Sequence, residues 1–201
     1  MPRAGLTRQL VVREAAQVAD EAGYDGLTLA AVAQRLGVKL PSLYKHIDGL
    51  DALQRGLGAL AVAELAAELS RATVGKARGE ALRAMAVAYR DYARRHPGRY
   101  VATLRAPKPG DTDHQAASEG ALQVILAVLA GYGLTGADAI DATRALRSAL
   151  HGFVSLEAAG GFGMPQDVDR SFARLVSAVD GALTSGAFGV TQHRWGACAF
   201  R

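Results

Sequence analysis

Apolar residues recur at three- and four-residue steps along most of this 201-residue chain, and no stretch alternates apolar with polar as a half-buried strand would. Val11, Ala15, Val18, Ala19 and Ala22 define the first such face, which predicts a helix from Leu6 to Ala22 stopped by Gly23. The expected fold class is therefore all-α. Composition agrees, because half of the residues are apolar, 21% are charged, and Ala and Leu, which lose little entropy in helices, are prominent.

Punctuation then divides the chain. Thr28 is placed to cap a second helix whose inner face is Leu29, Val32, Ala33 and Leu36, and Gly37 ends it. Pro41 suits the first turn of a third helix held down by Leu43 and Ile47, four residues apart. Two short helices joined by a tight glycine turn are the pattern of a helix-turn-helix. A unit of residues 1–48 is too small to stand alone and should dock on the helices C-terminal to it.

A long helix is expected from Leu50 to Leu69, weakened and able to bend at Gly56 and Gly58, then a helix over Gly79–His96 closed by Pro97-Gly98 and a short piece around Arg99–Arg105. "APKPGDTDH" reads as a loop, followed by helices over Gln115–Ala130, Ala137–Ala159 and Asp167–Leu183. Residues 49–184 would thus form a second, larger helical domain, and residues 185–201 an aperiodic tail.

The chemistry concentrates in "LGVKLPSLYKHIDGLDAL". Facing away from Leu43 and Ile47 are Leu40, Pro41, Ser42, Tyr44, Lys45 and His46. Ser42, Tyr44 and His46 can hydrogen-bond phosphate oxygens, and Lys45 supplies charge. Lys39 is placed to reach a guanine edge and Leu40 to pack on a thymine methyl. Thr28 would present the N-terminus of its helix to a phosphate. The net charge is +4, and Arg3, Arg8, Arg13, Arg35, Lys39, Lys45 and His46 crowd the first quarter, with no acid between Asp25 and Asp48.

This segment, with "AAQVADEAGYDGLTL" before it, resembles the TetR-type transcriptional regulators over about Leu10 to Leu53. The resemblance implies that Thr28, Lys39, Leu40, Pro41, Ser42, Tyr44, Lys45 and His46 face double-stranded DNA, and that ligand relieves repression. Many members carry a lysine near the start of the fourth helix; here Leu50 takes its place. "RSALHGF" (Arg147–Phe153) also resembles a Trp-His-Gly signature of one branch, with Leu150 where Trp is usual.

A homodimer reading a palindromic operator is the expected assembly. A face of mostly small residues on one of the last two helices, Ala145, Ala149, Gly152, Leu156 and Ala159, would meet the apolar side of the other, Phe172, Leu175, Val176, Val179 and Leu183. The resemblance further implies a small-molecule effector inside the second domain. Met85, Tyr89, Tyr92, Tyr100, Leu104, Leu126, Leu150 and Phe153 are its candidate lining, an apolar wall with a few polar tips.

Other classes fit less well. No catalytic or metal-ligand spacing is present: Asp111-Thr112-Asp113-His114 reads as a solvated loop, and Ser148 with His151 lacks an acid. No enzyme, cofactor or metal is expected. No run approaches a membrane span, and the single cysteine, Cys198, suits a reducing cytoplasm. The remaining alternative is an interaction module that keeps the helix-turn-helix shape without sequence-specific DNA binding.

Overall fold

The computed structural model describes residues 5–188, and every regular element in that range is helical. In chain order these are α1 (Arg8–Ala22), a 3₁₀ turn (Tyr24–Gly26), α2 (Leu29–Leu36), α3 (Leu40–Leu43), α4 (Gly49–Thr73) and α5 (Arg78–Arg95). They continue with α6 (Pro97–Ala102), α7 (Thr112–Ala130), α8 (Gly136–Ala158) and α9 (Val168–Thr184). Arg3 and residues 189–201 of the expected tail lie outside the described residues.

The caps explain the boundaries. Thr7, not Leu6, opens α1: its side chain accepts from the Leu10 N–H at 3.1 Å. Thr28 does the same for α2 through Ala31, also at 3.1 Å, and Gly37 closes that helix in the left-handed region. The "TDH" part of the expected loop is helical instead, because α7 already begins at Thr112 behind Asp111.

Two apolar cores result. The first gathers α1, α2, Leu43, Ile47 and the N-terminal half of α4; the second gathers the rest of α4 with α5 and α7–α9. Helix α4 thus belongs to both. Its glycines serve packing: a Cβ at Gly56 would stand 2.8 Å from a Val12 methyl, and one at Gly58 3.0 Å from the His114 ring. They let α1 and α7 approach α4 closely.

Helix α6 is the second joint. A Cβ at Gly98 would fall 1.9 Å from the Ala19 carbonyl oxygen, so α6 lies directly on the α1 backbone. The Arg99 N–H donates to Asp20 Oδ1 at 2.9 Å, and its Nε lies 3.0 Å from Oδ2. Further out, Arg90 of α5 is buried between Glu157 of α8, at 2.5 and 2.9 Å, and Asp169 of α9, at 2.7 Å, with its guanidinium 4.7 Å above the Phe172 ring. A charge so desolvated needs both carboxylates.

Candidate functional site

The turn after α2 delivers the charged segment to the surface. Leu43 and Ile47 are buried, and they fix the one-turn helix α3 so that Lys39, Leu40, Pro41, Tyr44 and Lys45 are exposed, with Ser42 and His46 half-buried. Tyr44 is 53% exposed, which excludes a core role for its ring. The helix begins one residue earlier than Pro41; Lys39 is its N-cap, and the Lys39 carbonyl accepts from the Ser42 N–H at 2.9 Å. Thr28 is exposed at the start of α2.

The basic surface is smaller than the sequence implies. Arg35 is held by Glu14 at 2.9 Å and Glu21 at 2.7 Å, because α2 crosses α1 on its acidic side. Arg8 faces Asp113 at 3.8 Å. Leu50 is 37% exposed in the first turn of α4.

A cavity of about 300 Å³ opens among α4, α5, α7, α8 and the segment after α6. Met85, Tyr89, Leu104 and Leu150 line it as expected. Four other candidates do not. Tyr92 points to α4, donating to the Ala61 carbonyl at 3.1 Å. Phe153 stacks between Phe162 and Phe172, with centroids at 4.8 and 5.0 Å. Leu126 packs into the second core, since the phase of α7 turns Leu122 and Ile125 to the cavity instead. Tyr100 borders a separate cleft between α6 and the end of α8.

Tyr89 and Tyr100 remain coupled, 2.9 Å between hydroxyls, and Tyr100 is 2.6 Å from His151 Nδ1. Burial pushes both phenols above their ordinary value. His151 Nδ1 also lies 3.2 Å from the Ser155 hydroxyl, so its hydroxyl neighbours are Tyr100 and Ser155 and not Ser148. His114 is likewise not in a solvated loop: it is 3% exposed against Gly58, its Nε2 has no hydrogen-bond partner among the described residues, and burial lowers its pKa.

Sequence reading missed two cavity residues of consequence. Arg147 follows Thr143 by four and precedes Leu150 by three, so the helical face that contained Leu146 and Leu150 already contained it. Arg105 had no such signal. It reaches out of the cavity wall to the Tyr24 hydroxyl at 3.0 Å, Gln54 Oε1 at 2.6 Å and Asp51 at 3.4 Å. Lys108 adds a 3.1 Å contact to Asp51, whose carboxyl is held below its usual range chiefly by that hydrogen bond.

Comparison with known proteins accords with this architecture. Residues 11–49 match the bacterial regulatory proteins of the tetR family, and residues 82–179 match the tetracyclin repressor-like C-terminal domain. An uncharacterized HTH-type transcriptional regulator of Mycobacterium tuberculosis, Rv0681, is 44% identical over 158 residues, covering 78% of this chain and 72% of its own. The class A tetracycline repressor protein from transposon 1721 of Escherichia coli is 33% identical over 166 residues, covering 77% and 68%. The solved fold of the transcriptional regulator SCO7222, a TetR from Streptomyces coelicolor, superposes with a TM-score of 0.68 at 22% identity, covering 90% of this chain and 99% of that one. No helix among the described residues is long and apolar enough to cross a membrane. The chain belongs to the TetR family of transcriptional regulators, which are DNA-binding proteins and not enzymes.

Proposed function

We propose that this protein is a ligand-released repressor that reads a palindromic operator as a homodimer. The observation that carries the DNA reading is the exposed row Lys39, Leu40, Pro41, Tyr44 and Lys45 standing over buried Leu43 and Ile47. In this reading Lys39 and Leu40 meet base edges, while Thr28, Ser42, Tyr44, Lys45 and His46 hold phosphates. The repressor role draws support from the relative whose name is tetracycline repressor.

The dimer forms through α8 and α9. Phe172, Val176 and Leu183 are already buried within the protomer, which leaves the partner chiefly Ala145, Ala149, Gly152, half-exposed Leu175 and Val179, and exposed Leu156. The effector occupies the cavity lined by Met85, Tyr89 and Leu150. Its filling displaces the segment carrying Arg105, which grips Tyr24, Gln54 and Asp51 on the DNA side. The two reading segments then leave the spacing of about 34–36 Å that one DNA turn demands. Near-complete switching needs a differential affinity on the order of 5.5 kcal/mol.

Selection from randomised duplex DNA at a fixed moderate salt concentration tests the proposal. A recovered palindrome supports it. A folded dimer that enriches nothing would favour the interaction module, to which Leu50 at the usual lysine position gives some support.

A further inference from the structure

The cavity carries an electrostatic bias that its apolar lining conceals. Among the described residues, two that line it are charged, Arg105 and Arg147, and none is Asp, Glu or His. Arg105 is engaged by Tyr24, Gln54 and Asp51. Arg147 is not engaged: it is exposed and enters no ion pair among the described residues, whereas Arg144, one turn earlier, pairs with Asp141 at 3.2 Å. The residues three and four positions away on α8 are Thr143, Arg144, Leu150 and His151, so no acid can reach Arg147 along its own helix.

An exposed arginine is ordinarily a solvated one. Position makes this one different. It lines a chamber walled by Leu65, Met85, Leu122, Ile125 and Leu146, and its charge also reaches the Tyr89 and Tyr100 hydroxyls, favouring their ionised forms against burial. A cation at the rim of an apolar chamber gains most from a ligand with an acid at one end and hydrocarbon at the other. The planar guanidinium pairs a carboxylate in bidentate fashion, and the tail fills the interior. Arg105 in the wall adds same-sign potential that repels amines. The cavity's volume of about 300 Å³ lies at the small end for ligand sites, which favours a short chain or a two-ring skeleton.

We infer that the effector is a small amphipathic carboxylate, with Arg147 at the cavity rim as its counter-ion. This rests on the reading of the cavity as the effector site.

Matched probes separate the two claims. Octanoate, octanamide and octylamine, and 2-naphthoate with 2-naphthamide, are titrated calorimetrically into the full-length protein and its Arg147→Gln, Arg147→Lys and Arg147→Glu variants. The expected result is that each acid binds at least about tenfold more tightly than its amide. Arg147→Gln abolishes the difference, Arg147→Lys keeps part of it, and Arg147→Glu shifts preference to octylamine. Acid and amide binding equally, with Arg147→Gln changing neither, overturns the head-group inference and leaves the cavity reading intact. Arg147→Gln weakening acid and amide alike also overturns it, since Arg147 would then shape the cavity without pairing. If no probe binds, both the cavity reading and this inference fall.

Discussion

The Arg105 guanidinium donates to the Tyr24 hydroxyl at 3.0 Å, joining the wall of the interior cavity to the turn that follows α1. The same side chain reaches Gln54 and Asp51 at the start of α4. One residue thus ties the cavity wall to both the turn after α1 and the start of α4, and it does so by charge-assisted hydrogen bonds whose geometry tolerates little displacement.

Arg105→Met keeps the aliphatic stem and removes those bonds. The cavity should bind octanoate much as before, while the loss of operator affinity on adding it shrinks by about fivefold or more, within the usual range of allosteric coupling. Operator titrations with and without octanoate measure this. A full ligand response in the variant would show that the signal bypasses Arg105.

Leu50 is exposed in the first turn of α4, flanked by Asp48 and Asp51. Leu50→Lys should tighten operator binding and steepen the dependence of log affinity on log salt by about 0.9. Lys45→Ala should flatten it by a similar amount across all duplexes. Anisotropy titrations at several salt concentrations give both slopes. Unchanged slopes in both variants would remove this face from the DNA contact.

Gly98 lies on the Ala19 backbone, where a Cβ would fall 1.9 Å from the carbonyl oxygen. Neither backbone can yield locally, so Gly98→Ala should cost about 3 kcal/mol or more and loosen α6 from α1. Gly152→Ala is the informative contrast. Among the described residues nothing outside its own helix backbone lies within 4 Å of an added Cβ, and alanine favours helix by up to about 1 kcal/mol. If α8 is the dimer face, this variant should nonetheless weaken dimerisation, read by sedimentation at several concentrations. An unweakened dimer would place the interface elsewhere.

His114 is buried against Gly58, and desolvation lowers its pKa below the ordinary value of about 6.5. A depressed folded-state pKa means the unfolded chain takes up the proton first. Its stabilising share is therefore complete above about pH 6.5 and is lost as pH falls through the folded value. His114→Leu removes this titration. Denaturant melts between pH 7 and 5 should lose stability more gently in the variant than in the parent. Parallel slopes would mean that His114 does not titrate in that window.

The helices, their order and the helix-turn-helix were legible because each depends on short-range chemistry: a cap at Thr28, a left-handed stop at Gly37, and Leu43 and Ile47 one turn apart. The outward set Lys39 to Lys45 followed from the same periodicity. Local pattern also placed half of the eight lining candidates correctly, Met85, Tyr89, Leu104 and Leu150, because a buried stripe and a cavity wall carry the same signature.

What periodicity could not decide was which neighbour each face meets. Tyr92 and Phe153 share the apolar phase of Tyr89 and Leu150, yet one turns to the Ala61 carbonyl and the other into an aromatic cluster. Arg35 counted as a free cation until α2 crossed Glu14 and Glu21. Gly56 and Gly58 read as weak points in α4 and proved to be where α1 and α7 press against it. The sequence determined the helices and the exposed row around α3, since those rest on contacts a few residues apart. Only the tertiary structure decided the cavity, the Arg105 link and the place of Arg147 in the cavity lining, because those depend on contacts between residues far apart in the chain.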